Sequence, residues 1–496
     1  MEMKTDEVEI SLESFAAEAA RIFSRQTAID HRDVLREILN ALKPVNFHEL
    51  GNLTDSERIS QKHYRVLTLR EIIRVTHELN LGLARHGDFV YAYNGQFWKL
   101  LELQEIEHFL AAASEVLGLD YITARDYAYR ERLVKQFLAD AYLPVPEPTE
   151  GPVLVNLANG TFEVVAEGGK LREFRRDDFL TYRLPFNFLP EADCPRWTTF
   201  LDEVLPDRSK QAVLAEYFAY VFVRQFTLEK TLLLYGTGAN GKSVVFRVIN
   251  AMLGEENVTN YGLEALCNDY YRAKIANSLL NYSSDISNRL QAEKFKLITS
   301  GEPIEARLPY GQPMILKRYA RLAFNCNELP KDVEHTEAYF RRFLIIHFDQ
   351  FIPEENRNPT LASEIIDTEL PGVFNWVLQG LDRLLASKAF SPCAAAQESL
   401  KWYKTESDSV AMFLADEGYG RSETSQPVKG VYRDYREYCG DNGYRPLGRN
   451  NFGKRLQHIG IPILRTRLGL EAHLARDLFS GDNVTTSPGH ATGWSL

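Results

Sequence analysis

The run Leu232-Leu-Leu-Tyr-Gly236-Thr237-Gly238-Ala239-Asn240-Gly241-Lys242-Ser243, continued by Val244-Val-Phe-Arg-Val-Ile-Asn-Ala-Met252, leaves a chain few ways to fold. A short apolar run closed by glycine reads as a buried strand, and the apolar residues after Ser243 recur at helical spacing. The pattern G-x-x-x-x-G-K-S therefore sits between strand and helix, as a phosphate-cradling P-loop requires. Glycine lets backbone N–H groups approach phosphate oxygens, and the helix N-terminus adds partial positive charge. Lys242 can reach the β- and γ-phosphates, and the Ser243 hydroxyl can ligate magnesium. Gly236, Thr237, Gly238, Ala239, Asn240, Gly241, Lys242 and Ser243 are the candidate nucleotide-binding residues, with ATP and Mg2+ as the cofactors, on an α/β fold.

The length, 496 residues, implies several domains, and a formal net charge of −11 restricts any nucleic-acid contact to a channel or a small module. Cys194, Cys267, Cys326, Cys393 and Cys439 form no C-x-x-C pair, which fits a reducing cytoplasm. No apolar run approaches the length of a membrane span, and the charged first residues do not read as a signal peptide.

In chain order, residues 1–87 read as a helical N-terminal region, with apolar positions Leu12, Phe15, Ala19, Ile22 and Phe23, then Val34, Ile38 and Leu42, and a further helix over Leu69 to Leu79. His31-Arg32-Asp33 imitates a kinase triplet but lies in a helical pattern without the accompanying motifs. Residues 88–194 read as an α+β domain. It opens with a hairpin, Phe89–Tyr93 and Gln96–Leu100 around Asn94-Gly95, and holds a second hairpin over Val153–Val165. Helices are expected over Ile106–Leu117 and Tyr127–Ala141, then a proline-rich linker from Pro144 to Pro152. Tyr91, Tyr93 and Trp98 could stack on bases, but packing against a neighbouring helix is the commoner use of such rings.

An ATPase core is expected over 195–358, opening with helix from Phe200 to Val223 before the P-loop strand. Such a core needs an acid for magnesium and water, a polar sensor of the γ-phosphate, and a cation for the developing charge. Asp285 ends the run Ser278-Leu-Leu-Asn-Tyr-Ser-Ser-Asp285, Asn327 follows the strand-like Ala320 to Cys326, and Arg341 and Arg342 precede a last apolar strand. Lys242, Asp285, Asn327, Arg341 and Arg342 are thus the candidate catalytic set, and Ser243 and Asp285 the candidate metal ligands. Between acid and sensor, Glu293 to Arg318 reads as a short helix and a hairpin tipped by Pro309-Tyr310-Gly311. Arg307, Tyr310, Lys317 and Arg318 on it suit a phosphate backbone or a stacked base.

Together the P-loop, the acid after Ser283-Ser284, the Ser300-Gly301-Glu302-Pro303-Ile304 to Tyr310-Gly311 hairpin, Asn327-x-Leu329-Pro330 and Phe340-Arg341-Arg342 resemble the superfamily 3 DNA helicases. The nearest branch in this resemblance is the phage and plasmid primase-helicases related to the poxvirus primase-helicase. It implies AAA+-like subunits in a hexameric ring with ATP between neighbours and DNA in the pore. Lys242 and Ser243 would bind phosphate and magnesium, Asp285 support water activation and Asn327 sense phosphate. Arg341 or Arg342 would act as a finger from the adjacent subunit, and the hairpin would draw one strand 3′ to 5′. Relatives of this branch often carry glutamate where Asp285 stands, and many carry a priming domain for which the helical opening offers no room. A separate primase or polymerase is therefore an expected partner.

Residues 359–405 read as a helical linking segment that contains Glu369-Leu-Pro-Gly372-Val-Phe-Asn-Trp376. Residues 406–479 read as a winged-helix-like module, and 480–496 as a polar, disordered tail. Basic residues outnumber acidic ones between Lys429 and Arg467. Helices at Gly430–Cys439 and Gly448–Leu456 and a two-stranded wing over Ile461–Leu470 would set Arg449, Asn450, Lys454 and Arg455 against DNA. The leading expectation is an ATP-dependent ring helicase replicating a mobile element. An origin-melting initiator ATPase and a DNA-independent nucleotide-sensing defence ATPase are the alternatives.

Overall fold

The computed structural model describes residues 29–476 except 55, 88, 144–150, 166–167, 285, 287–290, 309–312, 331–332 and 468. The expected helix over Leu12–Phe23, most of the proline-rich linker, Asp285, Tyr310 and the tail from 480 lie outside the described residues. The fold is mixed α/β with a parallel sheet at its centre.

The first unit is helices His31–Ala41, Gln61–Glu78, Leu103–Val116 and Tyr127–Asp140 around a sheet of β1 (Gly82–His86), β2 (Phe89–Tyr93) and β3 (Trp98–Leu101). Val34, Ile38, Ile72, Ile106, Leu133 and Phe137 meet in its core. His31 is buried, its Nε2–H donating to the Phe97 carbonyl at 3.0 Å, so the kinase-like triplet is part of a packed helix. The division expected between 87 and 88 falls in the turn joining β1 to β2, which pair along their whole length. Gly82-Leu-Ala-Arg-His86 lacks β-branched residues, so β1 carries no strand signature in the sequence. The β2–β3 turn is longer than a two-residue Asn-Gly turn: Asn94 Oδ1 accepts from the Gln96 and Phe97 amides at 3.0 and 3.1 Å, which withholds both from the ladder. Tyr91, Tyr93 and Trp98 are 1–2% exposed, so packing is their use.

A second antiparallel sheet, β4 (Val153–Leu157), β5 (Gly160–Val165) and β6 (Gly168–Arg172), confirms the second hairpin and adds a strand to it. The irregular connector to Cys194 is stitched to both sheets, with the Trp98 amide donating to Leu180 O and the Leu184 amide to Asn156 O, each at 2.8 Å. Helices Pro195–Val204 and Arg208–Tyr220 follow. The single helix expected here is broken at Leu205-Pro206-Asp207, where proline removes a donor and Asp207 caps the second helix.

Five parallel strands form the central sheet: β7 (Thr231–Tyr235), β8 (Val258–Thr259), β9 (Leu280–Ser283), β12 (Arg321–Cys326) and β13 (Phe343–His347), in the order β13-β7-β12-β9-β8. Between β9 and β12 the chain makes helix Ala292–Ser300 and an antiparallel pair, β10 (Ile304–Arg307) with β11 (Pro313–Leu316). Buried on both faces, the strands of such a sheet are apolar throughout, as Leu232, Leu233 and Leu234 are. Helix Leu370–Ser387 shares the large core beneath this sheet through Val373, Phe374, Val377 and Leu381, so the segment expected only to link is integral packing. At Gly380 a Cβ would come within 2.6 Å of the Ala215 backbone, so glycine there permits the close approach of two helices.

Past helix Ala394–Glu406, the chain ends in a module with its own core of Val410, Phe413, Val431, Tyr435, Phe452 and Leu456. It comprises helix Ser409–Asp416, β14 (Tyr419–Pro427), helices Val428–Asp441 and Arg449–His458, then β15 (Ile463–Thr466) and β16 (Gly469–Arg476), with sheet order β14-β16-β15. The strand β14 escaped the sequence reading because an edge strand made of Gly420-Arg-Ser-Glu-Thr-Ser-Gln426 shows no apolar alternation. Among the described residues no helix is long and apolar enough to cross a membrane.

Candidate active site

The loop between β7 and helix Lys242–Leu253 turns through positive φ at Gly238 (109°), Ala239 (49°) and Gly241 (87°). Two glycines are also required by space. A Cβ at Gly236 would lie 2.6 Å from the Phe348 carbonyl, and one at Gly241 2.8 Å from Val204 and 2.9 Å from Phe200. The loop is pinned from its flanks. The Gly236 amide donates to Cys326 O at 3.2 Å, the Ile352 amide to Ala239 O at 2.8 Å, and Asn240 Nδ2 to Phe348 O at 3.2 Å.

Lys242 is 6% exposed. Its Nζ donates to Gly236 O at 2.6 Å and Asn240 Oδ1 at 2.9 Å, so the ammonium is held by the oxygens of its own loop. Burial holds its pKa below the ordinary lysine value, and burial pushes the neighbouring Cys326 thiol up to about 12, leaving it protonated and inert. The loop opens on a cleft of about 650 Å³ lined also by Ser243, Ser284, Asn325, Asn327, Arg357 and Leu361. Asn327 stands exposed just past the end of β12, while Asn325, two residues earlier, is buried and accepts from the Tyr282 hydroxyl at 3.0 Å. Ser243 is exposed on the first helical turn, and Ser284 just past β9 faces the same cleft. Serine hydroxyls beside a phosphate-binding loop are oxygen donors suited to a hard cation such as magnesium.

Arg341 and Arg342 diverge. Arg342, 7% exposed, donates from Nη2 to Ser300 Oγ at 2.8 Å and also bonds the Ala338 carbonyl. The Arg341 side chain is 52% exposed and pairs with Glu229 at 2.6 Å. Glu229 also lies 3.3 Å from Arg342, so one carboxylate steadies both.

Three stretches of the chain match family models. Residues 75–206 match the "D5 N terminal like" model, 234–342 a family of unknown function (DUF5906), and 405–460 the "Poxvirus D5 protein-like" model. The chain is thus similar to the poxvirus D5-type proteins over 75–206 and 405–460. A protein of Acanthamoeba polyphaga mimivirus named as a candidate helicase is 22% identical over 403 residues, covering 72% of this chain. The match spans 41% of that relative's length. The C-terminal region of NrS-1 superposes with TM-score 0.44 and 11% identity over 82% of this chain and 98% of that one, and a second structure of the region (305–718) gives 0.43 and 10% over 81% and 97%.

The remaining sequence-predicted residues are spread over two surfaces. Arg307, at the end of β10, and Lys317, just past β11, are exposed, with Arg318 partly covered beside them. Arg449, Asn450 and Lys454 are exposed on helix Arg449–His458. Arg455 is put to another use, since its Nε donates to Asp408 at 3.0 Å, bracing that helix against the one Asp408 caps. Arg357 went unnoticed in the sequence. It is exposed on the lining of the same cleft as Lys242 with its Nε–H donating to Ile352 O at 3.0 Å, and a lone arginine in a loop after the last core strand gives no pattern to find.

Proposed function

We propose that the chain is the subunit of an ATP-driven DNA helicase ring of the superfamily 3, AAA+-like type. The observation that carries this reading is one cleft holding the buried Lys242 ammonium, the N-terminus of helix Lys242–Leu253 and the strand-end Asn327. On binding ATP, Lys242 exchanges Gly236 O and Asn240 Oδ1 for β- and γ-phosphate oxygens, and the backbone amides of 238–243 take the rest of the anion. Ser243, with Asp285, would hold magnesium, which would neutralise charge on the phosphates. Asn327 orients on the γ-phosphate. Of the two arginines, Arg341 is the finger: it is exposed and can leave Glu229 for the phosphate of an adjacent subunit, whereas the buried Arg342 fixes the turn that presents it.

In a hexamer, the β10–β11 hairpin carries Arg307, Tyr310, Lys317 and Arg318 into the pore and moves a strand 3′ to 5′. The C-terminal module acts as a winged helix whose helix Arg449–His458 meets duplex DNA with Arg449, Asn450 and Lys454. The setting is replication of a phage, plasmid or similar element, with priming by a separate primase or polymerase. The test is strand displacement on a forked duplex with ATP and magnesium, beside Lys242→Ala and with each tail polarity. Unwinding that needs a 3′ tail and vanishes in Lys242→Ala supports the motor. ATP hydrolysis without strand release overturns it in favour of an initiator that melts an origin locally, and hydrolysis indifferent to DNA favours a nucleotide sensor.

A further inference from the structure

A second cleft, of about 910 Å³, lies away from the nucleotide loop, between the first sheet and the arms of the β10–β11 hairpin. One wall is aromatic. His86 at the end of β1, Phe89 on β2 and Tyr142 after helix Tyr127–Asp140 line it, backed by the buried Phe179, whose ring lies 5.2 Å from that of His86. Tyr142 is 64% exposed, so its ring is open to a ligand. The opposite wall carries Arg307, Lys317 and Arg318, with Ile315 between them 54% exposed. Two carboxylates also line the cleft, Asp269 and Glu305. Asp269 is ion-paired with the buried Arg272. The walls are tied together, since Asn277 Nδ2 donates to the Tyr91 hydroxyl at 3.0 Å and Phe89 packs on the core beneath the hairpin.

We infer that this cleft is a binding site for single-stranded nucleic acid, in which bases stack on Tyr142 and Phe89 while Arg307, Lys317 and Arg318 take the phosphates. Rings and cations lining one cleft are the combination that holds an unpaired strand without reading its sequence, and a duplex, with its bases turned inward, offers nothing to the rings. The N-terminal unit thereby becomes half of a nucleic-acid site, and the strand held by the hairpin arms is gripped from outside as well. This rests on the DNA-motor reading above and adds to it a wall that belongs to none of the ATPase motifs.

The experiment uses the full chain and a fluorescent oligo-dT, with binding followed by anisotropy across a salt series and contacts mapped by crosslinking from 4-thiothymidine. Tyr142→Ala should weaken oligo-dT binding about tenfold, and Tyr142→Phe should restore it. Lys317→Ala should lower the slope of log affinity against log salt by about 0.7. Crosslinks should fall on residues of the first sheet. Strong binding with crosslinks confined to the core and the C-terminal module would overturn the cleft assignment and leave the motor standing. Absence of single-strand binding in the wild type would overturn both. An acidic, tyrosine-containing peptide binding in place of the oligonucleotide, and lost in Tyr142→Ala, would make the cleft a protein-docking site and likewise overturn the proposal.

Discussion

In the central α/β unit, Lys242 is buried and shared between two oxygens of its own loop, and Arg342, outside that loop's cleft, is buried against Ser300 and Ala338. In the C-terminal module, Arg449 and Lys454 stand in solvent while Arg455 turns inward to Asp408. The two regions use the same residue types under opposite conditions. A buried cation is strongly coupled to whatever replaces its partners and weakly screened, so it suits chemistry on one defined anion. An exposed cation gains affinity chiefly by releasing counterions, so it suits a long, regular polyanion. Within the module the contrast recurs over six residues, from the exposed Arg449 to the paired Arg455.

The largest effect belongs to the buried end of this contrast. Lys242→Ala should lower ATP turnover by about a hundred- to a thousandfold, read from steady-state phosphate release, and the loss should persist at high salt. A loss that disappears as salt rises would place Lys242 with the surface cations and break the comparison. Next comes Arg455→Ala, which strands the Asp408 carboxylate, 5% exposed, without its ion partner. Urea unfolding should show the module destabilised by about 1–3 kcal/mol, with the salt slope of duplex binding unchanged. The smallest effect is that of Arg449→Ala, which should leave stability within about 0.5 kcal/mol and reduce the salt slope of duplex binding by about 0.9. If Arg455 and Arg449 exchanged these outcomes, burial would be a poor guide to which cation meets DNA.

The P-loop was legible because its requirements are local. Glycine at 236 and 241, lysine at 242 and the helix behind them are contiguous in the chain, and the two glycines are fixed by the space around the backbone. Asn327 was legible for a similar reason, since a polar residue that ends an apolar strand before a proline turn has few other places to be. What the sequence hid depends on distant partners. Nothing in Arg341-Arg342 tells which side chain is buried, because that is decided by Ser300 and Glu229 on other elements. Arg455 looked like its neighbours on the same helix until Asp408 was brought beside it. The strands β1 and β14 were missed because their residues lack the pattern of a strand and are held in place by ladders to β2 and β16.

Gly241 is backed by Phe200 and Val204, so the shape of the loop is set from behind by helix Pro195–Val204. That helix is seated in turn by Glu369, 3% exposed, whose carboxylate accepts the amides of Arg196 and Trp197, both at 3.1 Å. A fragment ending at 358 would therefore carry every nucleotide motif and lack the acid that holds their backing helix in place. Recombination and protein engineering alike have to move the chain as a block that runs on to the end of helix Leu370–Ser387. The stretch that spells the activity is shorter than the stretch that can be transplanted with it.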